Sequence, residues 1–278
     1  MPTEPDDRTQ AVEAVSELAV PTGPAAARTA PSRVALARTR TGQRAIVAAL
    51  LAFAGLFVVV RANRTADADR SISRWLQRRG AGLAPLLRLA SWPGFPPQSR
   101  LIPPAIVAAL WALGLRLEAI FQLGAWSTAL LSTGLKALAR RPRPAQTDAI
   151  EVVAAPLRDS SFPSGHVLTY VGVYGFLAHL VGAHVRDGRT RRLGVAALVG
   201  LVGLVGPSRV QQGHHWPSDV LGSYLVGLPL LALFVEGYRS AKSRLLRVRA
   251  GRLRRESREA WRDARELIRV LAPFRRAG

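Results

Sequence analysis

The chain contains no cysteine in its 278 residues, which excludes disulfides and thiolate metal sites and leaves the redox compartment unreadable. Acids are scarce, 18 against 39 Lys and Arg, and they form no cluster with the spacing of a cation site, so neither a metal nor a cofactor is expected. The resulting net charge of +21 suggests nucleic acid, but aromatics make up only 6% and the basic residues form no patch interleaved with them, so no nucleic-acid partner is expected. A solenoid-type repeat is absent too. So is a secretory signal: the first apolar run begins only at Ala45, after Arg38, Arg40 and Arg44, and no cleavage site follows it, so it reads as an anchor that remains.

What the chain does have is apolar sequence, 49%, gathered into blocks of Ala, Leu, Val and Gly with the charge pushed into gaps and tails. That distribution points to membrane spans and an all-α, polytopic fold: six transmembrane helices forming a bundle, a disordered leader over 1–44, and a basic, helical tail over 239–278. The expected spans are 45–60, 101–115, 119–138, 167–183, 193–205 and 220–235. Pro103 and Pro104 are placed in the first turn of the second, where proline is tolerated. The fifth is the shortest, about 20 Å at ~1.5 Å per residue, and can extend by a turn at either end. Residues 61–100 form a polar connection with a weakly amphipathic, interfacial piece over 80–91.

Six crossings put both termini on one side, and that side carries 25 of the 39 basic residues. By the positive-inside rule it is cytoplasmic, in a multi-pass protein of the cell membrane. Fourteen of those basic residues lie from Arg239 onward, a pattern partly compatible with a basic amphipathic helix on anionic lipid of the inner leaflet and equally with a solvated helix.

Three polar stretches interrupt the apolar blocks. Lys136 ends the third span and is followed by Arg143-Pro144; Pro163-Ser164-Gly165-His166 precedes the fourth span; Ser208-Arg209, His215 and Asp219 lie between the fifth and sixth. No crossing separates the first two stretches and two separate the second from the third, so all three emerge on one face. Charge is expensive beside a bilayer and needs a job there. Lys136, Arg143 and Arg209 are fixed cations, and Ser164 with the amides of Gly165 and His166 makes a helix N-terminus that favours anions; together they suit a phosphoryl group. With a helix starting near Pro217, Asp219 shares a face with His215 and can hold one imidazole proton, marking His215 as nucleophile and leaving His166 as acid/base. A solvated loop with a charge pair is the bland reading of the third stretch taken alone.

The pattern Lys136-x6-Arg143-Pro144, Pro163-Ser164-Gly165-His166 and Ser208-Arg209-x5-His215-x3-Asp219 resembles the three-part signature of the type 2 phosphatidic acid phosphatases, the membrane lipid phosphate phosphatases. The resemblance covers about residues 100–236 with every signature position filled. It implies a six-helix, metal-independent enzyme that hydrolyses a lipid phosphomonoester or diphosphate through a phosphohistidine, with Lys136, Arg143, Ser164, Gly165 and Arg209 holding phosphate. An outward-facing site fits a polyprenyl diphosphate such as undecaprenyl diphosphate, and nearly as well phosphatidate or phosphatidylglycerophosphate. The alternatives are a lipid phosphotransferase using the same site and a catalytically silent lipid-binding protein. The signature spacing selects His215 over His214. Arg140 and Arg141 either assist or meet headgroups, Gln211 and Gln212 fill a variable gap, and His179 and His184 are packing or interfacial residues toward the opposite face.

Overall fold

The structure, a computed structural model, describes residues 33–153 and 159–271. The first 32 residues of the expected leader lie outside them. The first helix, α1 (Arg33–Arg61), begins twelve residues before Ala45, because Ala, Leu and Arg ahead of that span are good helix formers with no proline among them. Then follow α2 (Ala66–Arg79), α3 (Ala84–Ser91), α4 (Gln98–Ala112), α5 (Arg116–Trp126), α6 (Thr128–Ala139), α7 (Gly165–His184), α8 (Gly188–Gln211) and α9 (Pro217–Leu271). Among the described residues there is no strand.

Among the described residues, four segments are long and apolar enough to cross a membrane: Arg40–Arg61, Gly165–His184, Gly188–Gln211 and Pro217–Glu266. The other two expected spans are shorter helices. The second, α4, has 15 residues and starts at Gln98, so Pro103 and Pro104 fall in its second turn rather than its first. The third is divided into α5 and α6 at Ser127, where Ser127 Oγ donates to Gly124 O over 2.6 Å and Thr128 Oγ1 to Ala125 O over 2.7 Å. Such hydroxyl bonds to carbonyls one turn back compete with the helical ladder. The fifth span reaches 24 residues in α8, extended at its start where Asp187 Oδ2 accepts from the Thr190 amide over 2.6 Å.

α7 lies at the centre, packed by α5, α6, α8 and α9. It is apolar on every side, as a helix enclosed by others must be, and buries Val167, Tyr170, Val171, Val173 and Phe176 almost completely. Apolar side chains alone give spans little preference for one another over lipid, so close backbone approach matters. Gly172 provides it: a Cβ there would stand 2.3 Å from Ala125 O and 2.5 Å from Thr128 Oγ1. At the far end of α7, Glu118 of α5 accepts from Tyr238 over 2.9 Å and from Lys242 over 2.8 Å, and Lys242 contacts His184 Nε2 at 2.7 Å. His184 thus belongs to a polar staple joining α5, α7 and α9.

The connection 61–100 holds more structure than a polar linker. α3 buries Ala84, Leu87, Ala90 and Ser91 while Leu83, Leu86, Leu89 and Trp92 stay exposed, as suits a piece lying at an interface. Ser208 donates to Leu87 O over 2.6 Å and Tyr170 to Ala90 O over 3.1 Å, fastening the connection to α8 and α7. The basic tail continues from the last span without a break, as part of the 55-residue α9, roughly 80 Å long.

Candidate active site

Lys136 at the end of α6, Gly165 and His166 at the start of α7, and His215 in the turn between α8 and α9 gather at one end of the bundle, opposite the Glu118 staple. Lys136, Arg143, Gly165, His166, His214 and His215 all line one cavity of about 470 Å³. Its remaining wall is largely apolar, with Pro93, Pro103, Trp126, Tyr170 and Tyr174. A second cavity of about 930 Å³ between α6 and α7 shares Lys136, Arg143 and Gly165 with the first.

His215 is buried, and its Nδ1 lies 2.8 Å from the Ser161 carbonyl. A carbonyl only accepts, so Nδ1 carries the proton and Nε2 keeps a bare lone pair. Asp219, expected to hold that proton, stands farther off, 3.5 Å from Nδ1. The reason is local: α9 begins at Pro217, so His215 lies before the helix rather than on its face, and Asp219 Oδ2 turns back to accept from the Trp216 amide over 2.8 Å. Burial lowers the pKa of His215 from 6.5, and the nearby Asp219 opposes that shift without cancelling it.

Arg143 Nη1 donates to His214 O over 2.7 Å and reaches His215 Nε2 at 3.2 Å, so this guanidinium lies against the free lone pair. Its other nitrogens, at 2.7 and 3.2 Å, and the Lys136 ammonium all bind the Asp159 carboxylate. Burial alone would raise Asp159, but the hydrogen bonds from Lys136 and Arg143 outweigh it and hold the carboxyl at about 2. Two of the three cations assigned to an anion therefore already hold one.

The third, Arg209, is fully buried over the face of Phe95, 4.6 Å from the ring centre. Its Nη1 lies 3.2 Å from His214 Nδ1, and its Nε and Nη2 have no partner among the described residues. His166 Nε2 and Ser164 Oγ are also buried without a partner among the described residues. Ser164 does not line either cavity, and its amide is spent on Ser223 Oγ at 2.8 Å, so of the expected helix-start nest Gly165 and His166 are the residues at the cavity.

Behind His215 lies a buried network that motif spacing did not reveal. Arg141 Nη1 donates to Asp219 Oδ1 over 2.6 Å, and its Nη2 to Asp69 Oδ2 over 2.5 Å. Asp69, in α2, also accepts from the Ser218 amide over 2.9 Å. Phe95 was missed as well: it meets the rings of His166 and His214 edge-on at 5.5 and 5.9 Å. Gln212 is spent on Ser91 and Ser208 at 3.0 and 2.8 Å and lines neither cavity.

Comparison with known proteins adds an independent line. A family model described as the PAP2 superfamily matches residues 117–242, a stretch holding every signature residue. Over those residues, a little under half of its length, the chain is similar to the PAP2 superfamily. It is 38% identical over 79 residues to phosphatidylglycerophosphatase B of Bacillus subtilis, a match covering 28% of this chain and 38% of that one. To undecaprenyl-diphosphatase BcrC of the same organism it is 35% identical over 94 residues, 34% of this chain and 43% of that one. The matched stretches thus span about two-fifths of the length of these curated relatives. Among solved structures, a transmembrane PAP2-type phosphatidylglycerolphosphate phosphatase from Bacillus subtilis superposes with a TM-score of 0.61 at 25% identity, covering 70% of this chain and 96% of that one. Asp69 and Phe95 fall before the residues matched by the family model.

Proposed function

We propose that this protein is a membrane lipid phosphatase that cleaves a lipid phosphomonoester or diphosphate through a phosphohistidine on His215. The observation that carries the reading is the fixed tautomer of His215, with Nδ1–H on the Ser161 carbonyl and Nε2 at a cavity shared with His166, Lys136 and Arg143.

In this mechanism Nε2 attacks phosphorus while the bond to the lipid-side oxygen breaks, and His166 delivers a proton to that oxygen. The positive charge arising on the His215 ring faces the Ser161 carbonyl and the Asp219 carboxylate. His166 then takes a proton from water, the water oxygen attacks phosphorus, and the nitrogen–phosphorus bond breaks to release inorganic phosphate and restore Nε2. Lys136, Arg143 and Arg209 stabilise the equatorial oxygens, Arg143 sliding from Nε2 onto phosphate. The apolar wall at Pro103, Trp126 and Tyr174 receives the first carbons of the lipid.

With six crossings, the excess of basic residues on the side of the termini supports an outward-facing site and a tail whose first arginines meet anionic headgroups. The names of the two relatives make phosphatidylglycerophosphate and undecaprenyl diphosphate the substrates to try first. Purified protein in detergent with EDTA, assayed against these lipids and phosphatidate, is expected to release inorganic phosphate from at least one. Release from none removes the hydrolase reading, and labelled phosphate passing into another lipid assigns a phosphotransferase.

A further inference from the structure

His214 precedes the nucleophile and has no carboxylate four residues on, so spacing offers it no task. The structure gives it a defined chemical state. Its Nδ1 lies 3.2 Å from Nη1 of Arg209, a group that can only donate, so Nδ1 is the acceptor and the ring proton sits on Nε2. That Nε2 is buried in a residue only 5% exposed, has no partner among the described residues, and belongs to the lining of the cavity with His166 and His215. Phe95 holds the ring edge-on at 88°, and the adjacent Arg143 binds the His214 carbonyl. Nε and Nη2 of Arg209 are likewise buried and unspent.

We propose that His214 is a substrate-binding residue whose Nε2–H, together with the two unspent Arg209 donors, grips the non-bridging oxygens of the bound phosphoryl group. The inference rests on the phosphatase reading and assigns a third histidine to the same site, as a fixed donor rather than a proton carrier. Burial and the guanidiniums of Arg209 and Arg143, with His215 beside them, hold its pKa down at about 3, so the ring stays neutral throughout the working range. A neutral N–H buried beside an anion is worth keeping, because a donor left unpaired there costs more than the bond gains in water.

The test uses the full chain in detergent, with orthovanadate binding measured by titration calorimetry beside phosphate release from lipid. His214→Phe keeps an aromatic ring against Phe95 and removes the donor; His214→Gln can both accept from Arg209 and donate into the cavity. His214→Phe is expected to weaken vanadate binding roughly tenfold or more, the loss of one hydrogen bond to an anion, and His214→Gln to recover most of it. Wild-type affinity in both variants, or equal losses in both, overturns the proposal and leaves the ring as packing. A His214→Phe protein that forms no phosphoenzyme, while His215→Ala still does, overturns it in favour of a nucleophilic His214. If wild-type protein binds vanadate in this His214-dependent way but frees phosphate from no lipid, the phosphatase reading fails and the anion grip stands. If lipid is hydrolysed and neither variant loses vanadate affinity, the grip fails and the phosphatase reading stands.

Discussion

Arg141 donates to Asp219 over 2.6 Å with both side chains sealed from solvent, and the same guanidinium binds Asp69 of α2 on its other side. One cation thus neutralises two carboxylates that arrive from opposite ends of the sequence. Its neighbour Arg140 is exposed and ends α6 in the left-handed region at φ 49°, where glycine is favoured.

These two adjacent arginines are expected to respond in opposite ways. Arg141→Met removes the cation shared by Asp69 and Asp219 and leaves both carboxylates buried without it, which costs about 3–5 kcal/mol. Arg140→Gly relieves a left-handed residue and should be neutral or stabilising by up to about 1 kcal/mol. Thermal unfolding of the two variants in the same detergent checks this; equal effects would show that the buried network carries no stability.

Asp159→Asn is expected to tighten anion binding. The carboxylate occupies Lys136 and Arg143, so a phosphoryl group must displace it before using those cations. Because the acid is half exposed the competition is modest, and KM and the vanadate dissociation constant should fall roughly two- to fivefold. With its carboxyl held at about 2, Asp159 remains charged at any pH near neutrality, so the gain should be the same from about pH 5 to about pH 9. The sign follows from the depressed value: the ion pairs are intact above the ordinary carboxylate range and are lost only as pH falls toward 2. Weaker binding in the variant would instead make Asp159 part of the substrate's own contacts.

The parts of the site carried by short-range pattern were legible. Lys136, Arg143, His166 and His215 could be assigned to one face because an even number of crossings separates their stretches, and the structure brings them to one cavity. Asp219 was placed by helical spacing; the structure puts it 3.5 Å from His215 Nδ1, with the Ser161 carbonyl, which spacing did not reveal, nearer at 2.8 Å. Asp69 and Phe95 were not legible at all. They lie in a connection read as a polar linker, and their partners are up to 149 residues away, so only the packing of α2 and of the turn before α4 reveals them. Arg141 could not be told from Arg140 by sequence, because the difference is the direction each side chain takes at the end of α6.

The acid limb of the pH–rate profile should report the protonation of His215. In the proposed mechanism attack needs a bare Nε2, and burial lowers the ring's pKa from 6.5, so kcat/KM should hold its plateau to a pH below the ordinary histidine range before falling. Asp219 acts in the opposite direction, raising the value. Asp219→Asn should therefore move the limb to still lower pH while reducing the plateau, since the charge arising on the ring in the transition state loses its counter-charge. Rates of both proteins across about pH 4–9 at saturating lipid and in the kcat/KM regime separate the two effects; a limb moving upward in the variant would contradict the assigned role of the carboxylate.

Gly94 provides a test of His166 that leaves His166 itself untouched. The glycine ends the short turn over Trp92–Gly94, and a Cβ on it would lie 2.5 Å from His166 Cδ2 and 3.1 Å from Tyr170 Cε2. An imidazole between Phe95 and the start of α7 cannot yield by rotating a flexible end, so Gly94→Ala must turn or shift the ring. A displacement of about 1 Å in a catalytic group costs on the order of 10²-fold in rate. The loss should appear in the steps the proposed mechanism gives to His166, protonation of the leaving oxygen and activation of water. Hydrolysis of a substrate with a good leaving group, such as p-nitrophenyl phosphate, needs little protonation in the first step, so Gly94→Ala should let phosphoenzyme accumulate on it as the water step lags. Rapid-quench measurement of the acid-labile phosphohistidine would show a burst larger than in wild type, whereas unchanged turnover of both lipid and aryl substrates would mean that His166 does not depend on the space Gly94 leaves.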